Sequence, residues 1–221
     1  MKKDLTIGGI GARSTSVRRR IMKRVCKENV SGVKTNLVMS DIADVTMLVI
    51  TGYNISFGKL KQSLVIKDGQ TLNLKPQEIL FVETSKSITN NGTINTSMSQ
   101  IFIADFIDYD TPPNSGGGSL VNNGNLILSL DSSIQIIGIG TLTNNASLTN
   151  TGQIQITGTL TNNVSLTNTG QIYVNNGGIF TNIGSITNTG TINIANGSGT
   201  CGIGTFTAGS YIGTTGTGCP S

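Results

Sequence analysis

Aliphatic residues recur every six positions through the C-terminal half of this chain, and this period limits the possible folds more than any other feature. Three hexads make one unit, and the unit recurs at 18- to 20-residue spacing. Repeats of this length indicate stacked supersecondary units rather than one closed globule. The residues that set the phase are Leu142, Leu148, Ile154, Leu160, Leu166 and Ile172, followed after a shift of two residues by Phe180, Ile186 and Ile192.

The hexads predict an all-β fold, a single-stranded, three-faced parallel β-solenoid (a β-helix). Each hexad supplies one short strand and one corner, and its first residue points inward. Three hexads close a roughly triangular coil, and the coils stack at about 4.8 Å. Every strand except the terminal ones then has partners above and below, so stacking satisfies the hydrogen bonds of the backbone.

Asparagine occupies the third position of many hexads. It tolerates left-handed backbone angles and bonds its own chain locally, and identical stacked asparagines form amide ladders. We therefore predict a structural role at corners and in ladders rather than contact with a ligand. The residues concerned are Asn90, Asn122, Asn144, Asn150, Asn162, Asn168, Asn182 and Asn188.

The sequence divides into four segments. Residues 1–35 form a basic N-terminal arm, and residues 36–87 form a β cap with the first solenoid coil. Residues 88–200 form the solenoid body, interrupted by a surface loop at 105–119 that contains paired prolines and a glycine run. Residues 201–221 are rich in Gly and Thr and form a C-terminal cap. Caps are expected because a bare terminal coil exposes the edges of its sheets.

The segment before the hexads has its own turn signal. The stretch SLVIKDGQTLNLKPQEILFVE has a strand–turn–strand pattern in which Asp68 and Gly69 mark the turn.

Charge is distributed unevenly along the chain. Residues 1–34 carry a net charge of +8, residues 35–86 are neutral, and residues 87–221 contain no Lys or Arg and carry a net charge of −4. A cationic arm suits a polyanion or an acidic protein surface, and a solvated tail is the other interpretation. The arm lacks interleaved aromatic residues, so it does not predict base stacking. Its candidate partner-binding residues are Arg13, Arg18, Arg19, Arg20, Lys23, Arg24 and Lys27.

Two of the three cysteines bracket the predicted C-terminal cap. A disulfide between Cys201 and Cys219 would close a short loop and contribute on the order of 3 kcal/mol. This bond suits an extracellular or virion protein, and two free thiols are the other possibility. The third cysteine, Cys26, lies in the arm.

The composition argues against several kinds of chemistry. The chain has no His, which excludes a Cys–His catalytic pair and removes the base that hexapeptide-repeat acyltransferases generally use. Three cysteines without His are too few for a zinc site. We therefore expect no enzyme activity, no cofactor and no metal, and we interpret the acidic stretch DFIDYD as part of a solvated loop.

Threonine triplets recur at equivalent places in the repeat: Thr149-Asn150-Thr151, Thr167-Asn168-Thr169 and Thr187-Asn188-Thr189. Such ladders resemble the ice-binding faces of solenoid antifreeze proteins. Thr is also an ordinary strand former, which is the interpretation that we prefer.

A family resemblance covers residues 64–200. The stretch DGQTLNLKPQEILFVE, followed by ITNNGTI and repeated LTNTGQI-like hexads, resembles the Asn/Thr/Gly-rich β-solenoid proteins of giant DNA viruses and of bacterial adhesins. The resemblance implies a virion structural protein in the first case and an adhesin in the second. The basic arm and the lack of a secretory h-region near the start of this sequence favour the viral interpretation.

The resulting expectation is a non-enzymatic, capsid-associated virion protein (a minor capsid, cement or surface component) of a large DNA virus, anchored by its basic arm. Its expected partners are other capsid proteins or further copies of itself, with nucleic acid as a further partner of the arm. No transmembrane segment is expected, because no apolar run is long enough. The alternative is an adhesin or fibre-tip module that binds glycans.

Overall fold

Four-residue strands separated by short corners make up most of the described chain. The structure is a computed structural model that describes residues 34–50, 53–104, 116–195, 198–201, 205–207 and 210–213. In these residues the strands form three sheets. From Leu64 onward, consecutive strands run in sets of three, one in each sheet, and each set makes one coil. The predicted three-faced parallel β-solenoid is therefore confirmed.

Each sheet is described by its strands in stacking order. Sheet A contains β1 (Asn36–Val38), β5 (Thr71–Leu74), β8 (Thr93–Thr96), β11 (Asn125–Leu128), β14 (Ser147–Asn150), β17 (Ser165–Asn168), β20 (Ser185–Asn188) and β23 (Thr205–Thr207). Sheet B contains β2 (Ala43–Ile50), β3 (Tyr53–Leu60), β6 (Glu78–Val82), β9 (Gln100–Ile103), β12 (Ser133–Ile136), β15 (Gln153–Ile156), β18 (Gln171–Val174), β21 (Thr191–Ile194) and β24 (Ser210–Gly213). Sheet C contains β4 (Leu64–Ile66), β7 (Ser87–Asn90), β10 (Ser119–Asn122), β13 (Thr141–Asn144), β16 (Thr159–Asn162), β19 (Ile179–Asn182) and β22 (Gly199–Cys201).

The core is one continuous cluster of inward side chains from all three sheets, and it runs along the solenoid axis. In each body strand the second and fourth residues are buried, and stacked strands keep the same register, as in the pairing of Leu142 with Leu160. The aliphatic residues predicted to point inward, from Leu142 to Ile192, are all buried, and Phe180 is buried with them. Burial of each such side chain contributes about 1.5–3 kcal/mol. The six-residue period is thus the period of the core.

Buried asparagines form two ladders inside this core. The first joins Asn90, Asn122, Asn144, Asn162 and Asn182, each Nδ2 donating to the next Oδ1 at 2.7–2.8 Å. The second joins Asn150, Asn168 and Asn188 in the same way at 2.7 and 2.6 Å. The predicted ladder role is confirmed. Tolerance of left-handed backbone angles does not explain the asparagines at these positions, however, because none of these residues has a positive φ.

The ladder asparagines directly precede the shortest corners of the coil. Each buried ladder asparagine occupies the last position of its strand and is followed by a two-residue corner. In six of the eight, Nδ2 also donates to a carbonyl of the next coil, as from Asn144 to the Ser165 carbonyl at 2.8 Å. Asn182 Nδ2 donates to a carbonyl of its own corner at 3.2 Å. Corners of three or four residues follow an aliphatic residue or Thr96 instead, and these corners contain the positive-φ residues. A buried asparagine at the end of a strand is therefore always followed by a two-residue corner here, whereas aliphatic residues precede both kinds, since Ile156 is also followed by two residues.

The N-terminal end of the described solenoid differs from the body. Strand β1 pairs with β5, the short helix α1 (Met39–Ile42) follows, and β2 and β3 form an antiparallel hairpin. Met39 is fully buried, and its sulfur packs against Gly58 of the hairpin. The turn at Asp68 and Gly69 does not join two paired strands, since β4 belongs to sheet C and β5 to sheet A. It is a four-residue coil corner in which Gly69 has a φ of 75°.

The repeat continues on both sides of the predicted loop and past residue 200. Strand β10 pairs with β7 in register, Leu120 opposite Ile88, although the insertion between Ile103 and Ser119 separates them. Residues 105–115 of that predicted loop lie outside the described residues. At the other end, β23 and β24 pair in parallel with β20 and β21. Coil pairing thus reaches Gly213, and the proposed division into arm, caps and body stays a prediction.

Candidate interaction surfaces

The outer faces of the solenoid body are polar and nearly free of charge. Each strand presents its first and third residues outward, and in the body these are mostly Ser, Thr, Asn and Gln. Residues 87–221 contain no Lys or Arg, and from residue 116 onward Asp131 is the one acidic side chain among the described residues. The strand ladders use the backbone hydrogen bonds, so recognition on these faces depends on side-chain amides, hydroxyls and aromatic rings.

Sheet B has the most varied outer face, with two columns of side chains running along the solenoid. The first column passes through Gln100, Ser133, Gln153, Gln171 and Thr191. The second column passes through Phe81, Phe102, Gln135, Gln155, Tyr173 and Asn193.

Hydrogen bonds join the two columns within a strand. Gln155 Nε2 donates to Gln153 Oε1 at 2.8 Å, and the Tyr173 hydroxyl donates to Gln171 Oε1 at 2.9 Å. These bonds hold the glutamines in defined positions on the surface.

Three phenylalanines form a stacked cluster at the N-terminal end of the same face. The ring centroids of Phe57 and Phe81 are 6.3 Å apart, and those of Phe81 and Phe102 are 5.1 Å apart, with interplanar angles of 17° and 26°. All three rings are half-buried, and the ammonium group of Lys59 pairs with Glu83 at 2.9 Å nearby. Sequence analysis missed this cluster. The three residues are 24 and 21 positions apart, and their contact can be predicted only if the number of residues in each coil is known.

A groove of about 610 Å³ runs along the corner between sheets A and B. Its lining includes first-column residues of sheet B, such as Gln153 and Gln171, and the corner glycines Gly152, Gly170 and Gly190. The longer corner at residues 129–132 borders one end of the groove with Leu130 and Asp131. Tight corners thus form the bottom of the groove, and one long corner forms a wall.

The threonine triplets do not form one flat surface. In Thr149-Asn150-Thr151 the asparagine points into the core, Thr149 lies on the outer face of sheet A, and Thr151 lies in the corner. The Thr151 hydroxyl donates to the Leu128 carbonyl of the preceding coil at 2.8 Å. Thr149 and Thr167 are in register, so the predicted equivalence of the triplets on successive coils is correct, but only one threonine of each lies on the sheet.

The partner-binding and disulfide residues predicted from the sequence are not located by the structure. Cys201 ends β22, which pairs with β19, but its side chain and the whole of Cys219 lie outside the described residues. The disulfide stays a prediction. All the predicted arm residues also lie outside the described residues: Arg13, Arg18, Arg19, Arg20, Lys23, Arg24 and Lys27.

Two further properties concern metals and membranes. Within the described ranges, no three His, Cys, Asp or Glu side chains come close enough together to hold a metal ion. In the same part of the chain, no helix has both the length and the apolar character that crossing a membrane requires.

Comparison with known proteins does not assign this chain to a class, so its class is defined by its fold. No family model matches this chain, and no curated protein or solved structure matches it significantly. The protein is classed by its architecture, a three-faced parallel β-solenoid with internal asparagine ladders.

Proposed function

We propose that this chain is a non-enzymatic structural protein of a virus particle, a minor capsid, cement or surface component of a large DNA virus. The solenoid is the rigid body, and the basic N-terminal arm anchors it to other capsid proteins, to further copies of the chain or to nucleic acid. The observation that carries the proposal is the contrast between a stacked, nearly uncharged body and a cationic N-terminal segment. A body of this kind docks by shape and polar contacts, while a cationic arm binds acidic surfaces through long-range attraction.

The test is incorporation of the protein into purified particles, detected by mass spectrometry and immunoblotting. Neutralising Arg18, Arg19 and Arg20 to Gln removes three positive charges from the arm. The matched control removes three from the segment of the β cap and first coil (residues 36–87), by changing Lys67, Lys75 and Lys86 to Gln. We expect the arm variant to be depleted from particles and the control to be incorporated normally. High salt in an in vitro binding assay should reproduce the depletion, because salt screens exposed charges. Equal incorporation of both variants would refute the anchoring role.

A second candidate function is glycan recognition, as in an adhesin or a fibre tip. The outer face of sheet B favours it, because that face combines side-chain amides with aromatic rings. The hexad period places two aromatic residues of the body, Tyr173 and Phe180, in coil positions. Phe180 is buried and contributes nothing to a surface, whereas Phe81 and Phe102 lie on the outer face. Binding of the purified full chain to a printed oligosaccharide array tests this function.

A further inference from the structure

We infer that the groove between sheets A and B is a binding site for an extended, neutral oligosaccharide lying along the solenoid axis. This inference rests on the second candidate function and is independent of the role in a virus particle. The site consists of the corner glycines as its bottom, the first-column residues of sheet B as one side, and Leu130 with Asp131 at one end.

The bottom of the groove cannot be filled by side chains. A Cβ on Gly170 would lie 2.1 Å from the Gly152 carbonyl oxygen, and one on Gly190 would lie 2.1 Å from the Gly170 carbonyl oxygen. Both distances are well inside van der Waals contact, so a side chain at either position would require the backbone of the corner to shift. With Gly152, Gly170 and Gly190 at the corners, the groove keeps its depth along successive coils.

The side of the groove offers polar groups at a regular spacing. Gln153, Gln171 and Thr191 stand in register on successive strands, so these groups repeat at the strand spacing of about 4.8 Å. The acceptor oxygens of Gln153 and Gln171 receive hydrogen bonds from Gln155 and Tyr173. No partner within the described part of the chain accepts from either NH₂ group. Two oriented donors are therefore available to a ligand with many hydroxyl and ether oxygens.

The end of the groove adds a carboxylate and an apolar side chain. Asp131 lies in the long corner at residues 129–132, has a φ of 61° as residues of other long corners do, and lines the end of the groove. Its carboxylate accepts hydrogen bonds and matches the paired hydroxyls of a sugar. Leu130 is 70% exposed beside it, and its apolar surface suits contact with the C–H groups of a sugar ring.

The charge of the groove lining and the pairing of the neighbouring strands favour a neutral oligosaccharide over nucleic acid, acidic polysaccharides and peptides. Asp131 is the single charged residue of the groove lining, and a lining without cations does not attract nucleic acid or acidic polysaccharides. Extended peptides commonly bind by adding a strand to an open sheet edge. The strands beside this groove are already paired on both sides, as β15 is with β12 and β18. A neutral polyhydroxylated chain fits the remaining groups.

The experiment uses the full chain on a printed array of neutral oligosaccharides, with sialylated and uronic-acid oligosaccharides as anionic counterparts. Isothermal titration calorimetry then measures Kd for the strongest neutral ligand. Loss of both side-chain amides in a Gln153→Ala, Gln171→Ala variant should weaken binding about thirtyfold, given the usual contribution of two neutral hydrogen bonds. The matched control is Gln135→Ala, which removes the same side chain from the second column of sheet B, outside this groove.

A second variant guards against loss of folding. Asp131→Gly removes the carboxylate and places at a φ of 61° the residue that adopts it most readily, so the fold is retained while binding weakens. Weaker binding by both groove variants, with an unchanged control, supports the site. Unchanged binding by the groove variants overturns the site and leaves glycan recognition standing. Absence of neutral-glycan binding, or preference for the anionic ligands, overturns the site, and a complete absence of binding overturns the second candidate function as well.

Discussion

The asparagine ladder in sheet C provides the sharpest test of how this fold is held together. Asn162 lies in the middle of the ladder with no solvent exposure. Its Oδ1 accepts from Asn144 Nδ2 at 2.8 Å, and its Nδ2 donates to Asn182 Oδ1 at 2.7 Å and to the Ser185 carbonyl at 3.1 Å. Asn162→Ala removes all three hydrogen bonds at once.

The expected loss of stability follows from these contacts. Each hydrogen bond contributes about 1 kcal/mol net, and a buried acceptor left without a donor costs about 1–3 kcal/mol more. Asn182 Oδ1 loses the donor that Asn162 provides, whereas Asn144 Nδ2 keeps the Ser165 carbonyl. We therefore expect Asn162→Ala to lower the free energy of unfolding by about 4–6 kcal/mol.

The adjacent residue is a matched control. Asn163 belongs to a ladder on the outer surface and donates one hydrogen bond, to Asn145 Oδ1 at 2.7 Å. Water replaces that bond readily, so Asn163→Ala should cost less than about 1 kcal/mol. Urea unfolding followed by circular dichroism compares the two variants, and hydrogen exchange locates the weakened strands. Because each coil contacts its neighbours only, exchange should increase first in β13, β16 and β19. Equal destabilisation by the two substitutions would contradict the role assigned to the buried ladder.

Three further predictions concern the core, the end of the second ladder and the C-terminus. Leu160→Ala should cost about 2–5 kcal/mol in urea unfolding, because the narrow core cannot refill the cavity. The outward Thr161→Ala should be nearly neutral, and a similar loss for both would be inconsistent with the observed burial. Asn150 Oδ1 is buried without a hydrogen-bond partner, and Leu128 stands in register above it. Leu128→Asn extends the ladder by one donor, so it should cost at least about 1 kcal/mol less than Leu126→Asn in the same assay; the reverse order would count against the ladder. Thiol titration of denatured, unreduced protein should find Cys26 free and Cys201 bonded to Cys219, and three free thiols would exclude the bond.

The sequence was sufficient to predict the fold of the body. A six-residue period of aliphatic residues is compatible with few structures, because each face of a narrow solenoid coil repeats the same inward position. The same period predicted the positions of Leu142, Leu160 and their equivalents in the core. The asparagine ladders were predictable too, since identical residues at one repeat position must stack when the coils stack.

The corners were only partly predictable. The turn at Asp68 and Gly69 is visible in the sequence, but the same residues suit a hairpin and a coil corner. Only the pairing of β4 with β7 and of β5 with β8 shows which of the two is present. The link between a buried terminal asparagine and a two-residue corner also required the structure, because it depends on the hydrogen bond from Nδ2 to a carbonyl of the next coil.

The sequence by itself determined the repeat, the inward residues and the separation of positive charge from the body, because these depend on residue type and spacing along the chain. The tertiary structure alone decided the surfaces. Phe81 and Phe102, or Gln153 and Gln171, come together through coils whose lengths vary with their corners. If one corner gains or loses two residues, different sequence positions become neighbours on successive coils. The lengths of all the corners together therefore decide which residues form the aromatic cluster and the groove.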